Sequence, residues 1–131
     1  MNLREKILVY LYRNRESTLD EIVEALREDR YEIEATLRYL EKDGLVIKRN
    51  KGLIFKKVVY DLTASGFEEA KKSYESLQQK AEQLQNMIRN GQIDPTQIPE
   101  EYIDILPLLF MLSLLDMLLI GDLITFDMFS Q

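Results

Sequence analysis

The 131-residue chain contains no cysteine and no histidine. Disulfides and thiolate or imidazole metal sites are therefore excluded, and only an all-oxygen metal site is left, for which no ligand spacing is present. The same absences remove Ser-His-Asp and Cys-His catalysis. Glycine is scarce, at five residues, and none of them builds a glycine-rich phosphate loop. No pair of catalytic carboxylates stands out either, so the sequence predicts neither an enzyme nor a cofactor. The N-terminal stretch MNLREKILVYLYRNRES mixes charges into its apolar positions and lacks a small-residue cleavage pattern, which predicts a cytoplasmic protein without a signal peptide.

What is present fits one globular domain with an appended oligomerisation segment: 46% hydrophobic and 31% charged residues. The net charge of −6 hides an asymmetry. Residues 1–65 carry 13 Lys and Arg against 12 Asp and Glu, whereas residues 66–131 carry 4 against 11. Against this acidic background, the stretch VIKRNKGLIFKK concentrates Lys48, Arg49, Lys51, Lys56 and Lys57.

Apolar periodicity predicts three short helices first. Leu3, Ile7, Leu8 and Leu11 recur at three and four residues. Thr18 and Glu21 have capping-box spacing ahead of Leu19, Ile22, Val23 and Leu26. Asp29 is suited to cap a helix that buries Ile33, Leu37 and Leu40 and stops at Gly44, where a left-handed conformation is easily adopted. After Gly44 the period changes. LVIKR and KKVVYDLT, rich in β-branched and aromatic residues, flank the turn-forming NKG and predict a β-hairpin. Its register has two solutions: a tight turn at 50–52 places Leu53, Ile54 and Phe55 in the return strand, whereas a wide loop carries them at its tip.

From Gly66 a long helix is predicted, with Phe67, Ala70, Tyr74, Leu77, Ala81, Leu84 and Ile88 alternating at three and four residues as a heptad seam. Such a seam needs cover, either from a second protomer, which makes these seven residues a dimer interface, or from the chain's own domain. Gly91 ends the helix, and Pro95 and Pro99 mark a connector.

Helix, helix, helix, hairpin, with LEKDGLV at 40–46 and YDLTASG at 60–66, resembles winged helix-turn-helix DNA-binding domains. The likeness is to PadR-like and MarR-like regulators and to archaeal winged-helix proteins with a C-terminal dimerisation helix. It spans roughly residues 3–90. The fold class it implies is mainly α with a small β-hairpin wing: a winged-helix domain over 1–65, a coiled-coil-type dimerisation helix over 66–90, and a connector with an apolar helical tail over 91–131. The function it implies is a homodimeric transcriptional regulator that binds double-stranded DNA, sequence-specifically or generally.

On that reading the helix at 30–43 enters the major groove. With Ile33, Leu37 and Leu40 inward, rotation of about 100° per residue turns Tyr31, Ala35, Arg38 and Lys42 outward. Arg38 suits bidentate readout of guanine, and Lys42 suits phosphate. The wing cations Lys48, Arg49, Lys51, Lys56 and Lys57 then neutralise phosphates and release counterions; a solvated edge that deters aggregation is the plainer alternative. Glu32 and Glu34, near the start of the same helix, repel phosphate but suit the positive end of the helix dipole.

The segment ILPLLFMLSLLDMLLIGDLITF at 105–126 is the longest apolar run, interrupted by Asp116 and Asp122. A carboxylate at the centre of a spanning helix costs about 2.5–3.5 kcal/mol, so membrane spanning is disfavoured. One or two helices are predicted instead, with Pro99 and Pro107 near their starts and Gly121 near an end. They serve as core, as a methionine-bearing docking surface for a protein or apolar ligand, or as a membrane contact. The alternative function is a winged-helix protein-interaction module that uses the acidic second half and this tail, associated with a membrane.

Overall fold

A computed structural model of the chain describes residues 1–115. They form two compact units that divide within one long helix, the first of residues 1–75 and the second beginning at Ser76.

The first unit contains α1 (Leu3–Arg13), α2 (Leu19–Leu26), α3 (Arg30–Lys42), β1 (Val46–Lys51), β2 (Lys57–Leu62) and the beginning of α4 (Ala64–Arg89). Each short helix starts on a side-chain cap that satisfies first-turn amides. The Asn2 side chain accepts from the Glu5 amide, Thr18 and Glu21 form a reciprocal capping box, and Asp29 accepts from the Glu32 amide. Beyond the end of α3, Gly44 takes a φ of +74° and lets the chain turn into the hairpin.

Helix α1 is the hub. It packs against α2, α3 and β2, and everything from Lys6 to Leu11 is buried. The periodic reading of α1 counted one apolar face, but Val9 and Tyr10 are buried as well, because the helix is surrounded rather than laid on a surface. Ile22, Ile33, Leu37, Leu40, Val46, Val59 and Leu62 complete this core.

The hairpin is antiparallel, from Val46 opposite Leu62 to Lys51 opposite Lys57. This register selects the wide loop: residues 52–56 form the tip. Backbone bonds in both directions between Ser17 and Tyr60, at 3.1 and 2.7 Å, tie β2 to the turn after α1.

Helix α4 begins at Ala64, two residues before the expected Gly66. Thr63 explains the difference. Its hydroxyl accepts from the Gly66 amide at 3.0 Å and donates to the Gly44 carbonyl at 2.6 Å, so it caps α4 and fastens the helix to the α3–β1 turn. The approach is close enough that a Cβ on Gly66 would lie 1.8 Å from the Leu45 carbonyl oxygen. Only glycine fits there without backbone movement.

Six of the seven seam residues are buried within one chain, and Phe67 is half-buried. In the first unit Tyr12 stacks on Phe67 and Tyr74, with ring centroids 5.1 and 5.0 Å away, Arg13 donates to the Tyr74 hydroxyl, and Ala70 is buried. Of the two covers the sequence left open, Tyr12 and Arg13 of α1 provide one for Phe67 and Tyr74. In the second unit Leu77, Ala81, Leu84 and Ile88 are buried too.

The second unit continues with α5 (Glu100–Ile103) and α6 (Leu106–Met111). Gly91, at a φ of +73°, follows the end of α4, Pro99 precedes α5, and Pro107 sits in the first turn of α6. Tyr102, Ile105, Leu108, Leu109, Leu112 and Leu115 are buried, so the described part of the apolar segment is core. Asp116, Asp122 and the helix end expected at Gly121 lie outside the described residues. Among the described residues no helix is long and apolar enough to cross a membrane.

Candidate nucleic-acid interface

The exposed face of α3 is set by its start and its core contacts. Arg27, in the left-handed conformation at a φ of +53°, closes α2, and two residues later Asp29 caps α3. Arg30 pairs with Asp20 at 2.5 Å and links the first turns of α2 and α3. With Ile33, Leu37 and Leu40 fully buried, Tyr31, Arg38 and Lys42 are exposed as the angular reading expects, while Ala35 is half-buried. Among the described residues neither Arg38 nor Lys42 is held in an ion pair. Tyr39, at 68% exposure, shares this side with Tyr31, at 76%, and was missed. The signal was available: at about 100° per residue Tyr39 lies beside Ala35 and falls outside the Ile33, Leu37, Leu40 stripe. Glu32 is exposed and Glu34 half-buried.

The five wing cations do not form one set. Arg49 pairs with Asp61 at 2.7 Å and with Glu16 at 3.2 Å, and Lys51 pairs with Glu16 at 2.6 Å. Lys48 lies over the Tyr60 ring, 6.0 Å from its centroid. Lys56, the last residue of the tip, and Lys57, the first of β2, are exposed and make no ion pair among the described residues.

Asp61 and Glu16 organise the base of the wing, and neither was singled out from the sequence. Asp61 is buried in β2 and accepts from Arg15, from Arg49 and from the Leu62 amide at 2.8 Å. Burial pushes the Asp61 carboxyl up, but the Arg15 hydrogen bond, the Leu62 amide and the two guanidinium charges together outweigh it, so its pKa lies below the ordinary aspartate value. Glu16, at a φ of +56°, is likewise lowered, chiefly by its hydrogen bond with Lys51 and that lysine's charge. A carboxylate inside the apolar strand KVVYDL was the legible clue to Asp61.

Beyond the base, Gly52 adopts a φ of +105° and leads into Leu53, Ile54 and Phe55, which are 97%, 87% and 85% exposed. Three large apolar side chains thus stand in water at the apex, followed directly by Lys56 and Lys57.

No family model and no curated protein matches the sequence. Solved structures do match. A transcriptional regulator homologue from Pyrococcus horikoshii OT3 is 27% identical over 63% of this chain and 82% of its own, with a TM-score of 0.51. ZitR of Lactococcus lactis, a zinc-responsive MarR family member, is 17% identical over 86% of this chain and 74% of its own, with a TM-score of 0.60. S. aureus MepR, solved as a complex with DNA, is 22% identical over 69% of this chain and 74% of its own, with a TM-score of 0.50. The chain has the winged helix-turn-helix fold of these regulators. Zinc responsiveness belongs to ZitR; the chain described here has no cysteine or histidine with which to build a thiolate or imidazole site.

Proposed function

We propose that this chain is a transcriptional regulator that binds duplex DNA, with α3 in the major groove and the wing against the phosphate backbone. The observation that carries the reading is the outer face of α3, the second helix of the helix-turn-helix, which leaves Tyr31, Arg38, Tyr39 and Lys42 exposed, with no ion pair on either cation among the described residues. A DNA complex of a protein with the same fold supports it. Arg38 is assigned to a base edge and Lys42 to phosphate. On the wing, Lys56 and Lys57 make the primary phosphate contacts and Lys48 assists. Arg49 and Lys51 contribute after exchanging Glu16 for phosphate. Cytoplasmic residence goes with this role.

A homodimer is part of the proposal. Two copies of α3 related by a dyad would enter successive major grooves about 34–36 Å apart and read a pseudo-palindromic site. Because Phe67 and Tyr74 pack on Tyr12 and Ala70 is buried within the winged-helix unit, pairing centres on the later seam positions Leu77, Ala81, Leu84 and Ile88. In one chain these are already buried, so a second copy would take the place of the chain's own cover. The exposed Glu32 and the acidic residues after 65 support a second reading, a winged-helix module that binds another protein.

Fluorescence anisotropy with mixed-sequence duplex over a salt series tests the assignment. Wild type is expected to bind with affinity that falls as salt rises. The K56A/K57A variant should bind more weakly at every sequence, with a log-log salt slope shallower by about 1–2, since each phosphate contact contributes about 0.9. R38A should lose discrimination between sites by about 1–3 kcal/mol at one base pair. Absence of salt-sensitive binding at low ionic strength overturns the DNA reading and leaves the protein-interaction module.

A further inference from the structure

The apex of the wing is not explained by folding. Leu53, Ile54 and Phe55 are almost fully exposed, whereas loop tips ordinarily carry glycine, asparagine, aspartate or serine. Nor does phosphate neutralisation use them.

We propose that this apolar apex is a wedge that enters the DNA minor groove and opens a base-pair step, so that the protein selects deformable DNA as well as base sequence. The inference rests on the DNA-binding reading and goes beyond it in assigning a second, shape-dependent recognition element. Three properties of the tip carry it. First, its position fits: strand pairing ends at Lys51 and Lys57, so the apolar side chains stand on a five-residue loop at the far end of the hairpin, and a minor-groove wedge requires only single side chains to enter, not the whole ribbon. Second, its chemistry fits only an opened step. Aliphatic and phenyl groups cannot bond the acceptors on base edges, and the apolar surfaces DNA offers are sugars and the faces of unstacked bases; Leu, Ile and Phe are among the side chains that serve as such wedges. Third, the charge is complementary. Lys56 and Lys57 follow Phe55 directly and make no ion pair among the described residues, Lys57 acting on the Glu21 carboxyl only through its field, which places exposed cations where the groove's phosphate walls would stand.

Opening a step is easiest at pyrimidine–purine steps and easier still at a mismatch, so wild type should prefer duplexes carrying TA or CA over A-tracts. The test uses the full chain and three duplexes of equal length, with a central TA step, an A-tract or a mismatch, each bearing 2-aminopurine at the centre. It compares wild type with L53S/I54S/F55S. The substituted side chains are in solvent, so the variant's melting curve should match wild type and certify its fold. Expected for wild type are a rise in 2-aminopurine fluorescence on binding and about tenfold tighter binding to the mismatch than to the A-tract. The variant should keep its salt slope, produce no fluorescence rise and bind all three duplexes alike.

If wild type binds duplex with salt sensitivity but without unstacking or step preference, the wedge is wrong and the DNA-binding reading stands. If wild type binds no duplex, both fall. Two control measurements identify other occupants of the tip, and either result overturns the wedge: tip-dependent binding to vesicles of phosphatidylserine and phosphatidylcholine, or a change of oligomeric state in the variant by analytical ultracentrifugation.

Discussion

The base and the tip of the wing are built from the same short stretch of sequence, yet they use their side chains in opposite ways. At the base, Arg49 and Lys51 are held by Glu16 and Asp61, and Asp61 also binds Arg15, so positive charge fastens the hairpin to the end of α1. At and just after the tip, Lys56 and Lys57 make no ion pair among the described residues, and Leu53, Ile54 and Phe55 are almost fully exposed. A cation count therefore overstates the charge available to a partner. The strand pairing decides which cations serve the fold and which remain for binding.

This contrast can be broken most severely at the base. Gly66→Ala drives a Cβ into the Leu45 carbonyl oxygen, which only a shift of the α4 start or of the α3–β1 turn can relieve. A loss of roughly 2–4 kcal/mol in urea denaturation is expected, with the hairpin base affected first. A loss below about 0.5 kcal/mol would show that the junction is loose.

Next comes Asp61→Asn, which removes the buried acceptor shared by Arg15 and Arg49. A loss of about 1–3 kcal/mol is expected at neutral pH. The wild-type carboxyl titrates below its unfolded value of about 3.9. Its stabilisation is therefore present above that pH and is lost as pH falls through the lower, folded-state value. Thermal melts from pH 7 down to pH 2 should show the gap between wild type and variant closing on acidification; a constant gap would mean that Asp61 contributes by packing alone.

The smallest effect sharpens the contrast rather than breaking it. Glu16→Gln releases Lys51 and weakens the hold on Arg49 where solvent screens the charges, so stability should change little. Binding to duplex should strengthen at low salt and its salt dependence should steepen, as base cations join those of the tip. An unchanged salt slope would show that Arg49 and Lys51 never reach phosphate.

How much of this was legible follows the range of each interaction. The caps at Thr18, Glu21 and Asp29 and the turn at Gly44 were readable because each depends on residues within a few positions. The outward face of α3 was readable for the same reason, since one helical period places Tyr31, Arg38 and Lys42. The hairpin register was not, because NKG permits a tight turn and only the pairing of Lys51 with Lys57 selects the wide loop. The cover of the seam was not readable either: a period of three and four is the same whether a helix packs on a partner or on its own domain, and Tyr12 lies 55 residues before Phe67.

By itself, then, the sequence determined the order of elements, their caps, the winged-helix pattern and the exclusion of thiolate and imidazole chemistry, all properties of composition or of neighbours along the chain. Tertiary structure alone decided that Tyr12 of α1 packs on Phe67 and Tyr74, that Gly66 must lack a Cβ, and that two of the five wing cations are paired with Glu16 and Asp61 while Leu53, Ile54 and Phe55 are left in solvent. The physical reason is that periodicity specifies which face of an element is apolar or charged, whereas the identity of what lies against that face depends on chain segments dozens of residues away.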